Sequence, residues 1–83
     1  GSYLIDGQIP FYDFLAFFDQ EELYNEFNYN TLSGLILEEL EHIPQTGEKL
    51  SWRNFNFEIV DMDAARIDKV LVSMKPAANG EPA

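Results

Sequence analysis

Three sets of residues have the types and spacing for chemistry. Thr31, Ser33 and Gly34 stand where a helix begins, so free N–H groups and the helix dipole there favour an anion such as a phosphate. The plainer arrangement has the oxygen of Asn30 or Thr31 cap the helix, while Gly34 lets a strand approach closely. Neither a GxGxxG run nor a Walker-type lysine accompanies them, so a nucleotide has no independent motif. Asp61 and Asp63 flank a predicted turn with Asp68 nearby, and three carboxylates can hold a hard divalent cation such as magnesium. The EF-hand pattern fails at this turn, because its glycine position falls on Arg66 and its closing glutamate position on Val72. The plainer arrangement is turn aspartates satisfying local N–H groups, with Arg66 as their surface partner. His42 is the only histidine, so neither a zinc cluster nor a proton relay can form around it; at a helix end its ring faces the last carbonyls. Ser33, Ser51 and Ser73 have no base at readable spacing, and no carboxylate pair sits in an apolar run that would raise a pKa. The expectation is therefore no catalytic residue, no resident metal and no resident cofactor.

These groups must be positioned by one small domain. The chain has 83 residues, 46% of them hydrophobic and 24% charged, which is a globular composition. At this size about 63% of the unfolded surface can be buried, enough for a single core. Fifteen acidic residues against five Lys and Arg give a net charge of −10, which repels phosphate backbones and anionic headgroups. Nucleic acid is thereby excluded as a partner. The absence of Cys removes disulfides, thiolate metal sites and cysteine nucleophiles. No apolar run approaches a bilayer span, so this domain does not itself insert into a membrane. Gly1-Ser2 reads as the remnant of a cleaved expression tag, since the structural pattern starts at Tyr3 and no initiator Met precedes it. The domain then runs from residue 3 to 75, and the tail from Pro76 to Ala83 has nothing to pack and is expected to be disordered.

Within that domain, Tyr3 to Ile5 reads as a short strand closed by Asp6-Gly7. Phe11, Phe14, Leu15 and Phe18 fall at i, i+3, i+4 and i+7, predicting a helix from Pro10 to about Phe18. Residues 19 to 30 read as a connector with two forms open, an extension of that helix or a turn of helix and then a loop that lays aromatics on the core. Leu32, Leu35, Ile36, Leu40 and Ile43 share one face of a second helix, Thr31 to His42, with Glu38, Glu39 and Glu41 opposite and Pro44 as the stop. The glutamates are most simply a solvated face. Lys49 to Trp52 and Phe55, Phe57, Ile59 form a hairpin around Arg53-Asn54, and Asp61 to Ala65 makes the next turn. Val70, Val72 and Met74 alternate in a last strand, and Ile67 is out of phase with them, which predicts a bulge or a strand start near Asp68. The result is an α+β domain with two helices packed on one face of a small antiparallel sheet. Tyr12, Phe17, Tyr24 and Trp52 lie off the main stripes, so any left exposed would form a docking patch.

Taken in order, Asp6-Gly7, Thr31-Leu32-Ser33-Gly34-Leu35, Ile43-Pro44 with Gly47-Glu48, Phe57-Glu58-Ile59 and Asp61-Met62-Asp63 resemble the transporter-associated domain of the CorC/HlyC family. The resemblance spans about Tyr3 to Lys75. It departs from the family's pattern where glycines are common: at Ser33, at Glu41 ahead of His42, and at Ala64. The resemblance implies a cytosolic accessory module of a larger membrane protein with CBS domains, described as a magnesium and cobalt efflux protein or a hemolysin. It implies partners in the CBS and membrane domains of the same parent chain, a place at the cytoplasmic face of the membrane, and modulation of ion transport. A homodimer and a bound divalent cation are further partners to test. The family fold is similar to a part of FAD-binding (PCMH-like) domains, which prompts the alternative of an adenine or flavin nucleotide module.

Overall fold

The computed structural model describes residues 1–75. The tail expected from Pro76 onward lies outside the described residues. The elements are β1 (Ser2–Asp6), α1 (Phe11–Phe17), a 3₁₀ helix (Glu21–Glu26), α2 (Leu32–Leu40), β2 (Lys49–Trp52), β3 (Phe55–Asp63) and β4 (Arg66–Met74). The strands form one antiparallel sheet in the order β1-β4-β3-β2, so the first strand closes beside the last. One face of that sheet carries Ile5, Phe57, Ile59, Val70 and Val72 into the core, where they meet Phe14 and Leu15 of α1 and Leu35 and Ile36 of α2. This is the expected α+β layering. Its centre is aromatic: Phe14 lies 4.9 Å from Phe55, which stacks on Phe57 at 6.0 Å and on Trp52 at 6.1 Å, ring centre to ring centre.

The connector acquires its own turn of helix, and Leu23, Phe27 and Tyr29 from it pack on the core. The second helix ends earlier than the Pro44 signal predicts. Glu41 adopts φ 61° and ψ 24°, and its N–H bonds the Leu37 carbonyl at 2.9 Å. That left-handed residue closes the helix, so His42 and Ile43 belong to the following loop. The turn expected over Asp61 to Ala65 shrinks to Ala64-Ala65, because Asp61, Met62 and Asp63 stay in register with Lys69, Ile67 and Arg66. Both hairpins, at Arg53-Asn54 and Ala64-Ala65, have a positive φ at their first loop residue, 55° and 56°. Primed turns need this, because their twist matches that of the flanking strands.

Of the two outcomes expected near Asp68 the structure has the bulge, since β4 already starts at Arg66, and the bulge is shared by two strands. Ile59 pairs with Val70, Asp61 with Lys69 and Met62 with Ile67, so Val60 is extra on β3 and Asp68 is extra on β4. The two insertions cancel in register while letting both Ile67 and Val70, three residues apart, face the core. The carbonyls the bulge frees are taken by the loop after β1. The Gly7 N–H bonds Asp68 O at 2.8 Å, and Gln8 Nε2 donates to Ile67 O at 3.0 Å.

Gly7 sits at the crossing of three elements. A Cβ there would stand 2.4 Å from the Ile67 carbonyl oxygen, a backbone atom that cannot move without breaking the bulge. The substitution Gly7→Ala is therefore expected to cost about 2–3 kcal/mol and lower the melting temperature by roughly 10 °C or more, measured by urea and thermal denaturation. A melting temperature within a few degrees of the parent would contradict this account of the joint.

Candidate functional site

Thr31, Ser33 and Gly34 are brought together at the start of α2. Thr31 Oγ1 accepts the Gly34 N–H at 3.0 Å, which makes Thr31 the cap. The Leu32 N–H is taken by Ile9 O at 3.0 Å and the Ser33 N–H by Gly7 O at 2.8 Å. All three amides that an anion would need are thus committed to the protein itself. Ser33 is buried, lies 3.1 Å from Thr31 Oγ1 and accepts from Gln8 Nε2 at 3.2 Å. The close backbone approach expected at Gly34 belongs to Gly7 instead, since the nearest atom to a Cβ on Gly34 is Thr31 Oγ1 at an ordinary 3.4 Å.

Asp61, Asp63 and Asp68 do not converge. Asp61 and Asp63 sit on β3, across from Lys69 and Arg66, and Asp68 lies 3.4 Å from the Lys69 ammonium. Among the described residues Asp68 alone of the three has an ion pair, and the ladder sets Asp61 and Asp63 across from cations of β4. Among the described residues no three His, Asp or Glu groups come together to hold a metal ion.

His42 has the clearest local electrostatics. Its Nδ1 lies 2.9 Å from Leu40 O and its Nε2 lies 2.5 Å from Glu48 Oε2, while the other Glu48 oxygen accepts the Gln45 N–H at 3.1 Å. Both ring nitrogens face acceptors, so both must donate, and the ring that satisfies this geometry is the imidazolium. The hydrogen bond to Glu48 accordingly raises the His42 pKa, although the pair is exposed. The Gln45 N–H and then the His42 bond lower that of Glu48. The contact clasps the end of α2 to the start of β2.

Two surface features were not read from sequence. The open face of the sheet is concave, with a cavity of about 430 Å³ bordered by Lys49, Ser51, Asn56, Glu58, Leu71 and Ser73. Its register sets Ser51, Asn56, Ser73 and Ser2 in one polar row, and Lys49, Glu58, Leu71 and Leu4 in the next. Charge is also segregated. Ten of the fifteen acids and none of the five Lys and Arg lie in residues 1–48, so β1 and the helical layer carry the net charge and residues 49–83 are balanced. Counting charge by half of the chain would have found this. Of the off-stripe aromatics, Tyr12, Phe17 and Tyr24 are exposed, whereas Trp52 is buried.

Residues 1–76 match the family described as Transporter associated domain, CorC_HlyC. The chain belongs to this family. A UPF0053 protein of Synechocystis is 47% identical over 92% of this chain, and the polyamine export protein of Escherichia coli K12 is 36% identical over 87%. The chain spans about a sixth of those relatives, 17% and 16% of their lengths. The transporter associated domain of a Xylella fastidiosa Temecula1 hemolysin, solved in complex with Mg++ and Mn++, superposes with a TM-score of 0.77 at 37% identity, covering 92% of this chain and 90% of that one. The corresponding domain of a CBS domain protein from Porphyromonas gingivalis gives 0.76 at 31%, covering 92% and 91%. The chain is thus a transporter-associated domain of the kind carried by membrane-transport and hemolysin proteins, and no helix among its described residues is long and apolar enough to cross a membrane.

Two of the departures from this family's glycine pattern, Glu41 and Ala64, have φ of 61° and 56°. The third, Ser33, places a satisfied hydroxyl in the joint. Relieving the left-handed strain by Ala64→Gly is expected to stabilise the domain by about 0.5–1 kcal/mol, a rise of a few degrees in thermal unfolding. NMR titration of the single histidine is expected to give a pKa above 6.5, and Glu48→Gln to return it toward that value. Because the His42 pKa is raised on folding, its contribution to stability is complete below 6.5 and fades as pH rises through the raised value. Glu48, lowered from 4.5, contributes fully above 4.5 and loses its share as pH falls through its depressed value. The clasp therefore stabilises most between pH 4.5 and 6.5.

Proposed function

We propose that this domain is a non-catalytic accessory module at the cytoplasmic face of a membrane ion-transport protein, and that it modulates transport by docking on the CBS or membrane domains of its own parent chain. The observation that carries this reading is the family match over nearly the whole chain, set against relatives six times its length. Such a module is an attached part, and its effect is exerted through contacts. The relatives named as polyamine export proteins, and the neighbour solved with Mg++ and Mn++, point to cations as the transported or sensed species.

The charge distribution suits that role. A helical layer carrying eight carboxylates and no Lys or Arg favours a basic docking surface, and it raises the local concentration of cations. A cation bound with different affinity in the docked and undocked states would shift the balance between them; couplings of this kind are about 1–3 kcal/mol, or roughly 5–150-fold in affinity. The amides at the start of α2 are all engaged, so that helix end lends no support to a nucleotide module.

The test is removal of residues 1–83 from the gene that carries them, in its own host, followed by measurement of cellular divalent cations and polyamines. The truncated protein is expected in the membrane fraction by immunoblot, with export changed several-fold. The combined substitution Glu38→Gln, Glu39→Gln and Glu41→Gln on the exposed side of α2 is expected to reproduce part of that change with unaltered folding. Membrane-localised protein with unchanged cation and polyamine content would overturn the proposal.

A further inference from the structure

The two edges of the sheet are built differently. The outer strand on one side, β2, has four residues, opens on Lys49 and is followed by Arg53, whose guanidinium pairs with Glu26 at 3.1 Å and lies 5.0 Å over the Phe27 ring. Positive charge and a covered end are the ordinary means of keeping a sheet edge from pairing. The outer strand on the other side, β1, has none of them. Ser2-Tyr3-Leu4-Ile5-Asp6 contains no Lys, Arg or Pro, and its pairing with β4 runs without a bulge.

That edge is apolar along the helical side of the sheet and at its midpoint, Leu4, on the open side, where Ser2 and Asp6 flank it. On the helical side Tyr3 is 47% exposed and meets Phe17, 57% exposed, edge to face at 5.3 Å, with Phe18 at 5.5 Å from Tyr3. On the open side Leu4 is 58% exposed. The Asp6 carbonyl at the end of β1 already accepts the Ile9 N–H at 3.1 Å; the rest of the strand is an edge with aromatic and aliphatic flanks, and such an edge accepts another strand by continuing the ladder.

We propose that the partner of this edge is a second copy of the chain, joined by antiparallel β1–β1 pairing into one continuous eight-stranded sheet. The five residues are self-complementary about Leu4. The two Leu4 side chains meet at the two-fold axis, each Tyr3 lies across from Ile5 of the second copy on the helical side, and each Ser2 lies across from Asp6 of the second copy. No two carboxylates are set directly opposite, which is the arrangement that like charge would penalise. Pairing through the helical layer, by contrast, would press eight acids against eight. The half-exposed aromatics contribute about 100 Å² each, and with Leu4 and the strand backbone the two copies bury about 1,000 Å² in total, the lower bound for a specific interface. The association is therefore reversible. It strengthens with salt, because salt screens the repulsion of two chains of net charge −10 and leaves the apolar contact intact.

The test is sedimentation velocity of the 83-residue chain from about 10 µM to 1 mM, at roughly 0.15 M and 0.5 M NaCl, a range set by the small interface. The expected result is a mass rising from 9.6 kDa toward twice that value with concentration, earlier at the higher salt. Leu4→Lys and Leu4→Glu, each with an unchanged circular dichroism spectrum, are expected to weaken association by tenfold or more when alone. Mixed together they are expected to restore it, because opposite charges then meet at the axis. A chain that stays monomeric to 1 mM at both salts overturns the proposal. So does a dimer that the Leu4 variants leave intact, and so does a mixture that stays monomeric.

Discussion

The backbone of Gly7 is the point on which the two layers depend. Its N–H reaches the bulged Asp68 carbonyl of β4 and its C=O reaches the Ser33 amide at the start of α2, both at 2.8 Å. One residue thereby satisfies a donor at a helix start and an acceptor at a sheet irregularity, two places where buried backbone groups would otherwise lack partners. The neighbours extend the joint. Ile9 O takes the Leu32 N–H, Asn30 O takes the Phe11 N–H, and Gln8 bridges Ser33 and Ile67 through its side-chain amide. Only a residue without a Cβ lets the loop come within hydrogen-bond distance of Ile67 and Asp68.

The same joint decides what the start of α2 can do. A helix N-terminus offers an anion its free amides; here the protein has used them to hold β1, α2 and β4 together. A feature that reads as a binding site in isolation is structural mortar in context. The aspartates near the last hairpin follow the same logic, because strand pairing places a cation across from each of Asp61 and Asp63 before any ligand is considered. What the fold leaves free is surface: an acidic helical layer, a concave open sheet face and an unguarded edge at β1. The proposed docking role rests on these surfaces, in a domain whose family is described as transporter associated.

Strain is distributed at chain reversals. Asp19, Glu41, Arg53 and Ala64 all hold positive φ without being glycine, each following a helix or opening a hairpin. Such residues lose stability relative to glycine and gain a less flexible unfolded chain, and the two effects partly offset. At Glu41 the chain also keeps a charge beside the His42–Glu48 clasp, so the reversal that ends α2 is held by a hydrogen-bonded ion pair downstream as well as by backbone geometry.

Much of the architecture was legible in the residues. The spacing of Phe11, Phe14 and Leu15 and of Leu32, Leu35 and Ile36 placed both helices, because an apolar stripe at a period of 3.6 has one stable use in a small domain. The alternation of Phe55, Phe57 and Ile59 placed the hairpin, and the out-of-phase Ile67 marked an irregularity near Asp68 without deciding between a bulge and a strand start. Composition settled the net charge, since it depends on residue types alone. The tertiary structure decided what depends on neighbours distant in sequence. Pro44 did not end α2, because a left-handed Glu41 reverses the chain first, and no local propensity marks a glutamate for that conformation. Gly34 and Gly7 both read as small residues in turns. Only the packing of Gly7 against Ile67, sixty residues away, showed which one the fold requires. The carboxylates, amides and aromatics were all visible as chemistry, but whether they were free or already satisfied was set by partners that only the folded chain brings within reach.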